Sequence, residues 1–327
     1  MTDETPLHVA VTGAAGYIGS RVVYELQQAH PDWEVTAIDN FYLGRVRDVD
    51  GVTVEHVDIR NRDRLEDALS DADVVCHLAA ISGVDDCRDQ SDLAYEVNVT
   101  GTTNVAWYCR KHGTALVFPF SMATLGDPQE FPITVDHPRD PLNWYGRTKL
   151  LGERAIESLA DGAFPAHQFM ISNLYGSHEI GGQRVSKGTV TNFFVGRALA
   201  GETLTVYEPG TQARNYIHVV DVARAYVRST ECLAESLAAD ETGVEKYELA
   251  SEEDPSVGDL AELVRRLARE ERDIEVDVEL VENPRAGEET LVSEFPVDTT
   301  RAREELGWGT EHTLETTVRE ALRTSAK

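Results

Sequence analysis

The stretch VAVTGAAGYIGSRVV, Val9 to Val23, sets Gly13, Gly16 and Gly19 three positions apart where an apolar, β-branched run gives way to an amphipathic one. The segment LHVAVT (7–12) reads as a buried strand, and Tyr17 to Gln28 as the helix that follows it. Glycines in such a turn keep it tight and leave its backbone amides bare at the positive end of the helix. A pyrophosphate can settle there only where no side chain blocks its approach. Twenty residues after Gly19 the next strand, EVTAID (34–39), ends in Asp39, followed by Asn40. An acid at that place accepts hydrogen bonds from ribose hydroxyls and repels a 2′-phosphate, so the pattern predicts a dinucleotide site that takes NAD rather than NADP. A plain strand-ending turn is the alternative for Asp39 and Asn40.

Working outward, VTVEHV (52–57), ADVVCHLA (72–79) and TALVFPF (114–120) read as further strands, with helix-length segments between them. That alternation predicts an α/β fold of the Rossmann type, a doubly wound parallel sheet with helices on both faces. After about residue 175 the pattern turns irregular through YGSHEIGGQRVSKG, and a helical pattern resumes near Val190. A smaller, substrate-covering part is expected from there on.

Composition narrows the function. The chain has 327 residues, 41% of them hydrophobic, enough to bury a substantial core. Its 58 acidic and 30 basic side chains leave a net charge of −28, and only five of the bases are lysine: Lys111, Lys149, Lys187, Lys246 and Lys327. The acids are spread through segments that read as folded rather than gathered in a tail. Such a surface fits a cytosolic protein of a high-salt cell, where ions screen the self-repulsion, and it argues against binding nucleic acid or an anionic membrane. Cys76, Cys87, Cys109 and Cys232 form no C-x-x-C pair and read as reduced, mostly buried thiols. The ten histidines show no close ligand spacing, so no metal site is expected. The start MTDETPLHV has no basic segment leading into a long apolar run, and a cytoplasmic location is expected.

The second constellation is YGRTK, Tyr145 to Lys149. Residues four apart on a helix share a face, where an ammonium can draw a phenol's pKa from about 10 toward neutrality. A phenolate available near pH 7 is a general base for an alcohol or sugar hydroxyl. An amphipathic helix with a packed tyrosine and a solvated lysine would give the same pair.

Beyond these patterns, nearly the whole chain resembles the extended short-chain dehydrogenase/reductase family, and within it the NAD-dependent sugar-nucleotide epimerases and dehydratases. TGAAGYIGS is similar to the family's glycine motif, with Tyr17 and Ile18 at the phosphate turn, and DNFYLGR to its acidic strand end. VDIRNRD resembles the segment whose Asp58 and Ile59 would lie beside the adenine. HLAA, with Leu78, Ala79 and Ala80, resembles the one that passes under the cofactor, and NVTGT from Asn98 the helix that supports the site. FSMATLG resembles the strand whose serine, here Ser121, assists the tyrosine, and WYGRTKLLGE carries Tyr145 and Lys149. In the second half, SNLYG, QARNYIHVVDVARA and PRAGEE resemble segments whose Asn173, Arg214 and Arg285 would hold a substrate diphosphate.

The resemblance implies an epimerase, with UDP-glucose and UDP-galactose interconverted through transient oxidation at C4. Residues 6–174 would form the NAD-binding domain, with 214–250 returning to it, and 175–213 and 251–327 the substrate-binding part. A homodimer joined through helices near 91–111 and 143–160 is the family expectation. A 4,6-dehydratase would carry an Asp-Glu pair after the hydroxyl residue, whereas Met122 and Ala123 follow Ser121. A one-way dehydrogenase or reductase, and a regulator that senses NAD without catalysis, are the remaining alternatives. The departures from the family pattern are Phe120, where a small hydroxyl residue is common, Leu125, where tyrosine is frequent, and the missing arginine before SNLYG.

Overall fold

The computed structural model describes residues 6–324. From the N-terminus run β1 (His8–Thr12), α1 (Gly19–Ala29), β2 (Glu34–Asp39), β3 (Asp48–Val49), β4 (Val52–His56), α2 (Arg62–Ala68) and β5 (Val74–His77). Two short helices, α3 (Val84–Asp89) and α4 (Ser91–Tyr95), pass through a π-turn at Glu96–Gly101 into α5 (Thr102–His112). Next come β6 (Ala115–Ser121), a 3-10 turn at Met122–Thr124, α6 (Trp144–Ala160) and β7 (Pro165–Ile171). The rest comprises β8 (Asn173–Tyr175), β9 (Ser177–Ile180), β10 (Gln183–Ser186), α7 (Val190–Leu199), β11 (Leu204–Tyr207), β12 (Tyr216–His218) and α8 (Val219–Ala238). It ends with β13 (Gly243–Leu249), α9 (Val257–Arg272), β14 (Val278–Val281), α10 (Thr300–Glu305) and α11 (Leu314–Thr324).

Eight strands form one sheet in the order β13-β7-β6-β5-β1-β2-β4-β3, and every neighbouring pair is parallel except the short β3 against β4. The order reverses between β1 and β5. In an open α/β sheet that reversal leaves a crevice at the carboxyl ends of the strands. Helices cover both faces. On one, Val105 of α5 and Ile156 of α6 pack with Leu116 and Phe118 of β6. On the other, Val22 and Leu26 of α1 join Val222 and Tyr226 of α8 against Val11 and Phe169. A third, smaller core gathers Phe194 of α7, Leu204 of β11, Tyr216 of β12, Leu260 of α9 and Leu314 of α11. Among the described residues no helix is long and apolar enough to cross a membrane.

Each of the five expected strands is present, and α1 occupies most of its expected span. Two further strands, β7 inside the sheet and β13 at its edge, carry no alternation to betray them. All of β7 is buried, as is most of β13's second half, because helices close both faces. The irregular stretch after Tyr175 is a hairpin: β9 and β10 pair antiparallel around Gly181 and Gly182, both with positive φ (56° and 76°). His178 and Ile180 point inward there and Glu179 outward.

Candidate active site

The glycine turn is constrained first by the chain's own packing. Gly13 has a φ of +74°, and a Cβ on it would lie 2.6 Å from the backbone nitrogen of Ala79. On Gly19 a Cβ would come within 2.1 Å of the Gly13 carbonyl oxygen, so α1 can start this close to β1 only without a side chain there. Gly16 is different, since its missing Cβ would approach only the Gly13 oxygen, at 3.1 Å. That leaves a bare backbone surface where an anion can approach. Ile18 caps α1 without a side-chain acceptor and the first turn carries no acid, so the helix terminus offers its positive end to a ligand. The residues present fit a dinucleotide pyrophosphate.

From this turn a cavity of about 580 Å³ runs along the carboxyl ends of the strands. Asp39, at the end of β2, and Ser121, at the end of β6, both line it, three strand spacings or about 14 Å apart. Gly13, Gly16, Tyr17, Ile18, Gly19, Asn40, Ile59, Leu78, Ala79 and Ala80 line it too, together with Tyr145 and Lys149. Asp39 is nearly buried, and its carboxylate accepts from the backbone of Phe41 (2.6 Å) and of Ala15 (3.2 Å); burial raises its pKa. It therefore braces the glycine turn as well as facing the cavity.

Two expected cofactor residues stand behind the wall instead. Asp58 accepts from Arg60 at 2.7 Å and from the Asn40 amide at 3.2 Å, and the Arg60 guanidinium holds its carboxyl down at about 2. Asn98 is buried in the π-turn, where its amide clasps both backbone groups of Ile81 (2.8 and 2.9 Å) and donates to the Thr148 hydroxyl (3.0 Å). Asn98 thus ties the end of β5 to α6. His77 does the same between β1 and α5, with ring nitrogens 2.7 Å from the Thr12 hydroxyl and 3.0 Å from that of Thr102. Burial lowers its pKa to about 3, so it is neutral.

Ser121 and Tyr145 are brought together by a close helix contact. The Asn143 side chain caps α6 by accepting from Gly146 at 2.9 Å, and a Cβ on Gly146 would lie 2.4 Å from the carbonyl of Ala123. The first turn of α6 can therefore rest directly on the 3-10 turn after Ser121. Lys149 follows one turn later, buried, with its ammonium 4.4 Å from the centre of the Phe118 ring. Burial pushes the Tyr145 phenol up to about 12, against the opposing pull of the Ser121 hydroxyl, and it lowers Lys149 to about 7. Desolvation thus outweighs the effect of lysine on tyrosine expected from their spacing.

The three expected diphosphate residues lie outside the cavity lining. Asn173 is exposed and donates to the Asn215 carbonyl at 3.1 Å. Arg285 pairs with Asp85 at 2.5 Å and Glu289 at 3.0 Å, while Arg214 lies 3.9 Å from the same Glu289. Residues that sequence reasoning passed over do line the cavity. They include Tyr42 and Leu43, which stay exposed at its rim, Ser82, Ser172, and the β9–β10 hairpin from Gln183 through to Lys187. Scarcity of lysine was the one available signal for Lys187.

A model of the NAD dependent epimerase/dehydratase family matches residues 9–239. A UDP-glucose 4-epimerase of Corynebacterium glutamicum is 30% identical over 332 residues, spanning 96% of this chain and 94% of that protein. Among solved structures, the UDP-glucose 4-epimerase of Thermus thermophilus in complex with NAD superposes with a TM-score of 0.80 at 24% identity, covering 98% of this chain and all of that one (100%). A UDP-glucose 4-epimerase of Stenotrophomonas maltophila, with bound NAD and formylated UDP-arabinopyranose, gives 0.82 at 25% identity over 97% of this chain and 98% of that one.

Proposed function

The chain belongs to the NAD-dependent epimerase/dehydratase family, and from that premise we propose that it is a UDP-sugar 4-epimerase acting between UDP-glucose and UDP-galactose. Its cofactor is NAD. When bound, NAD would supply the acceptor, and then the donor, of the hydride at the sugar's C4. We assign the glycine turn, with Gly16 and the open end of α1, to the pyrophosphate, and Asp39 with Asn40 to the adenosine ribose. Residues 6–174 and 214–250 would hold the cofactor, and 175–213 with 251–327 the substrate.

Tyr145 receives the proton of the C4 hydroxyl and later returns it, so the 4-keto sugar forms and is reduced in the same cavity. Ser121 steadies that proton from the other side. Lys149 supplies positive charge next to the phenolate as it forms. Arg214 and Arg285 clamp the diphosphate, which keeps the nucleotide anchored while the keto sugar turns over. The observation that carries this reading is the meeting of Ser121, Tyr145 and Lys149 in one cavity with the glycine turn. Met122 and Ala123 directly after Ser121 offer no group for a dehydratase's elimination.

The test is a screen of UDP-, dTDP- and GDP-sugars with no cofactor added and product analysis by NMR. A mixture of C4 epimers from UDP-glucose is expected; a 4-keto-6-deoxy product, or no turnover of any of them, would overturn the assignment. We further place the protein in the cytoplasm of a high-salt cell, on its charge of −28. Activity should then climb as KCl rises from about 0.1 M, where the Debye length is about 10 Å, toward 1 M, where it is about 3 Å. Exposed Tyr95, Trp107 and Leu151, on or near neighbouring helices α4, α5 and α6, support a homodimer, and light scattering in high salt should return twice the chain mass.

A further inference from the structure

Of the five lysines, Lys111 pairs with Glu66 at 2.7 Å and Lys246 with Glu153 and Glu157, both at 2.5 Å, while Lys327 lies outside the described residues. The remaining two, Lys149 and Lys187, both line the cavity. Lys149 already has a place in the reaction. Lys187 has none, and its surroundings are unusual. It follows β10, on the segment that leads into α7, and its ammonium donates to the Ser82 hydroxyl at 2.5 Å and the Ser82 carbonyl at 3.3 Å. Among the described residues no carboxylate forms an ion pair with it, and the acid whose charge acts on it most is Asp86, in α3.

We propose that Lys187 binds substrate, its ammonium receiving an oxyanion of the sugar nucleotide in the cavity that Ser121 and Tyr145 also line. This rests on the sugar-nucleotide reading above. Lys187 is half-buried, and a cation that has given up part of its hydration without a paired carboxylate gains what it lacks from an arriving oxyanion. Burial accordingly lowers the Lys187 pKa. Neutral oxygen acceptors on Ser82 can be given up at small cost when such a ligand arrives. Arg214 and Arg285 offer the opposite situation, since Glu289 and Asp85 already answer their charges. In a chain with nearly two acids for every base, a lysine left without an acid at the site marks a position reserved for a ligand's charge.

Two parts of a sugar nucleotide carry oxyanions, the diphosphate and, in a uronic acid, the C6 carboxylate. Lys187→Met and Lys187→Arg separate them, using enzyme purified with its NAD, UDP-glucose and UDP-glucuronate as substrates, and calorimetric titration with UDP alone. Loss of one charge-assisted contact should raise KM about 10–100-fold in Lys187→Met, with NAD content and melting temperature kept and with most of the loss recovered in Lys187→Arg. A rise shared by both substrates and by UDP assigns the diphosphate; a rise confined to UDP-glucuronate assigns the ring carboxylate. Unchanged KM and UDP affinity would overturn the proposal. So would a loss of NAD or of melting temperature that arginine does not rescue, because Lys187 would then be only a latch between the hairpin and Ser82. The titrations need no turnover. If the unmodified enzyme binds UDP-glucuronate and epimerises nothing, the functional assignment fails while the Lys187 contact is still measured.

Discussion

The two ends of the cleft are built by different means. At the β1–α1 turn, backbone geometry decides everything: Gly13 and Gly19 are required by contacts within a dozen residues or with the adjacent strand end at Ala79, and the ligand surface is bare amide. Around Ser82 and Asp85 the surface is made of charges delivered from far along the chain. Lys187 reaches Ser82 across 105 residues and Arg285 reaches Asp85 across 200. A dinucleotide phosphate can be met by a local turn because every helix start presents the same amides. A particular sugar nucleotide has to be met by side chains, and those come from wherever the second part of the chain folds over the first.

The largest effect should come where the two ends meet. Tyr145→Phe keeps the ring and removes one hydroxyl, so folding and NAD retention should survive while turnover falls by about 10²–10⁴. Because burial puts the phenol up at about 12, the base is protonated at neutral pH. The unmodified enzyme's kcat/KM should therefore rise with pH as the proton is given up, and that limb should be missing in the variant. Near-normal turnover of Tyr145→Phe with NAD bound would reduce the tyrosine to a packing residue.

A smaller effect separates the glycines from one another. Gly19→Ala forces a methyl against the Gly13 carbonyl, backbone on backbone, and should cost about 3 kcal/mol of stability or more. Gly16→Ala meets only one oxygen at 3.1 Å, so its melting temperature should change little. What it should lose is NAD, because the methyl stands where the phosphate approaches. If instead both variants melt alike and both keep NAD, the turn is not where the pyrophosphate lies.

Legibility in the sequence follows the same divide. The β1–α1 turn, Asp39 and the Tyr145–Lys149 pair could be read because each depends on neighbours within one or two turns of chain. Gly146 shows how far such reading goes: its place inside YGRTK is plain, but its contact with the Ala123 carbonyl, which seats Tyr145 near Ser121, is tertiary. β7 and β13 escaped because helices bury both faces of the sheet, erasing the period-two signal. The hairpin over the cavity hid behind its own glycines, which read as loop until Gly181 and Gly182 are seen to form its turn. Partners of Arg214 and Arg285 were beyond reach altogether, since no local pattern links them to Glu289 or Asp85.

That last pair of contacts supports the smallest prediction, at the sugar-nucleotide end alone. Glu289 lies between the two arginines assigned to the diphosphate, 3.0 Å from Arg285 and 3.9 Å from Arg214, and it is only 17% exposed. It occupies charge that an incoming diphosphate needs, so binding has to break these pairs first. Partly exposed pairs of this kind contribute about 0.2–1 kcal/mol, and removing the competing carboxylate should return that amount to the ligand. Glu289→Gln keeps the shape and drops the charge. KM for the sugar nucleotide should fall about two- to fivefold with kcat nearly unchanged, while Arg285 stays in place through Asp85. The gain should shrink as KCl is raised, because screening weakens the competition and the new attraction together. A higher KM in Glu289→Gln would mean that the carboxylate orients the arginines rather than competing for them, and the charges at this end would then be prearranged like the backbone at the other.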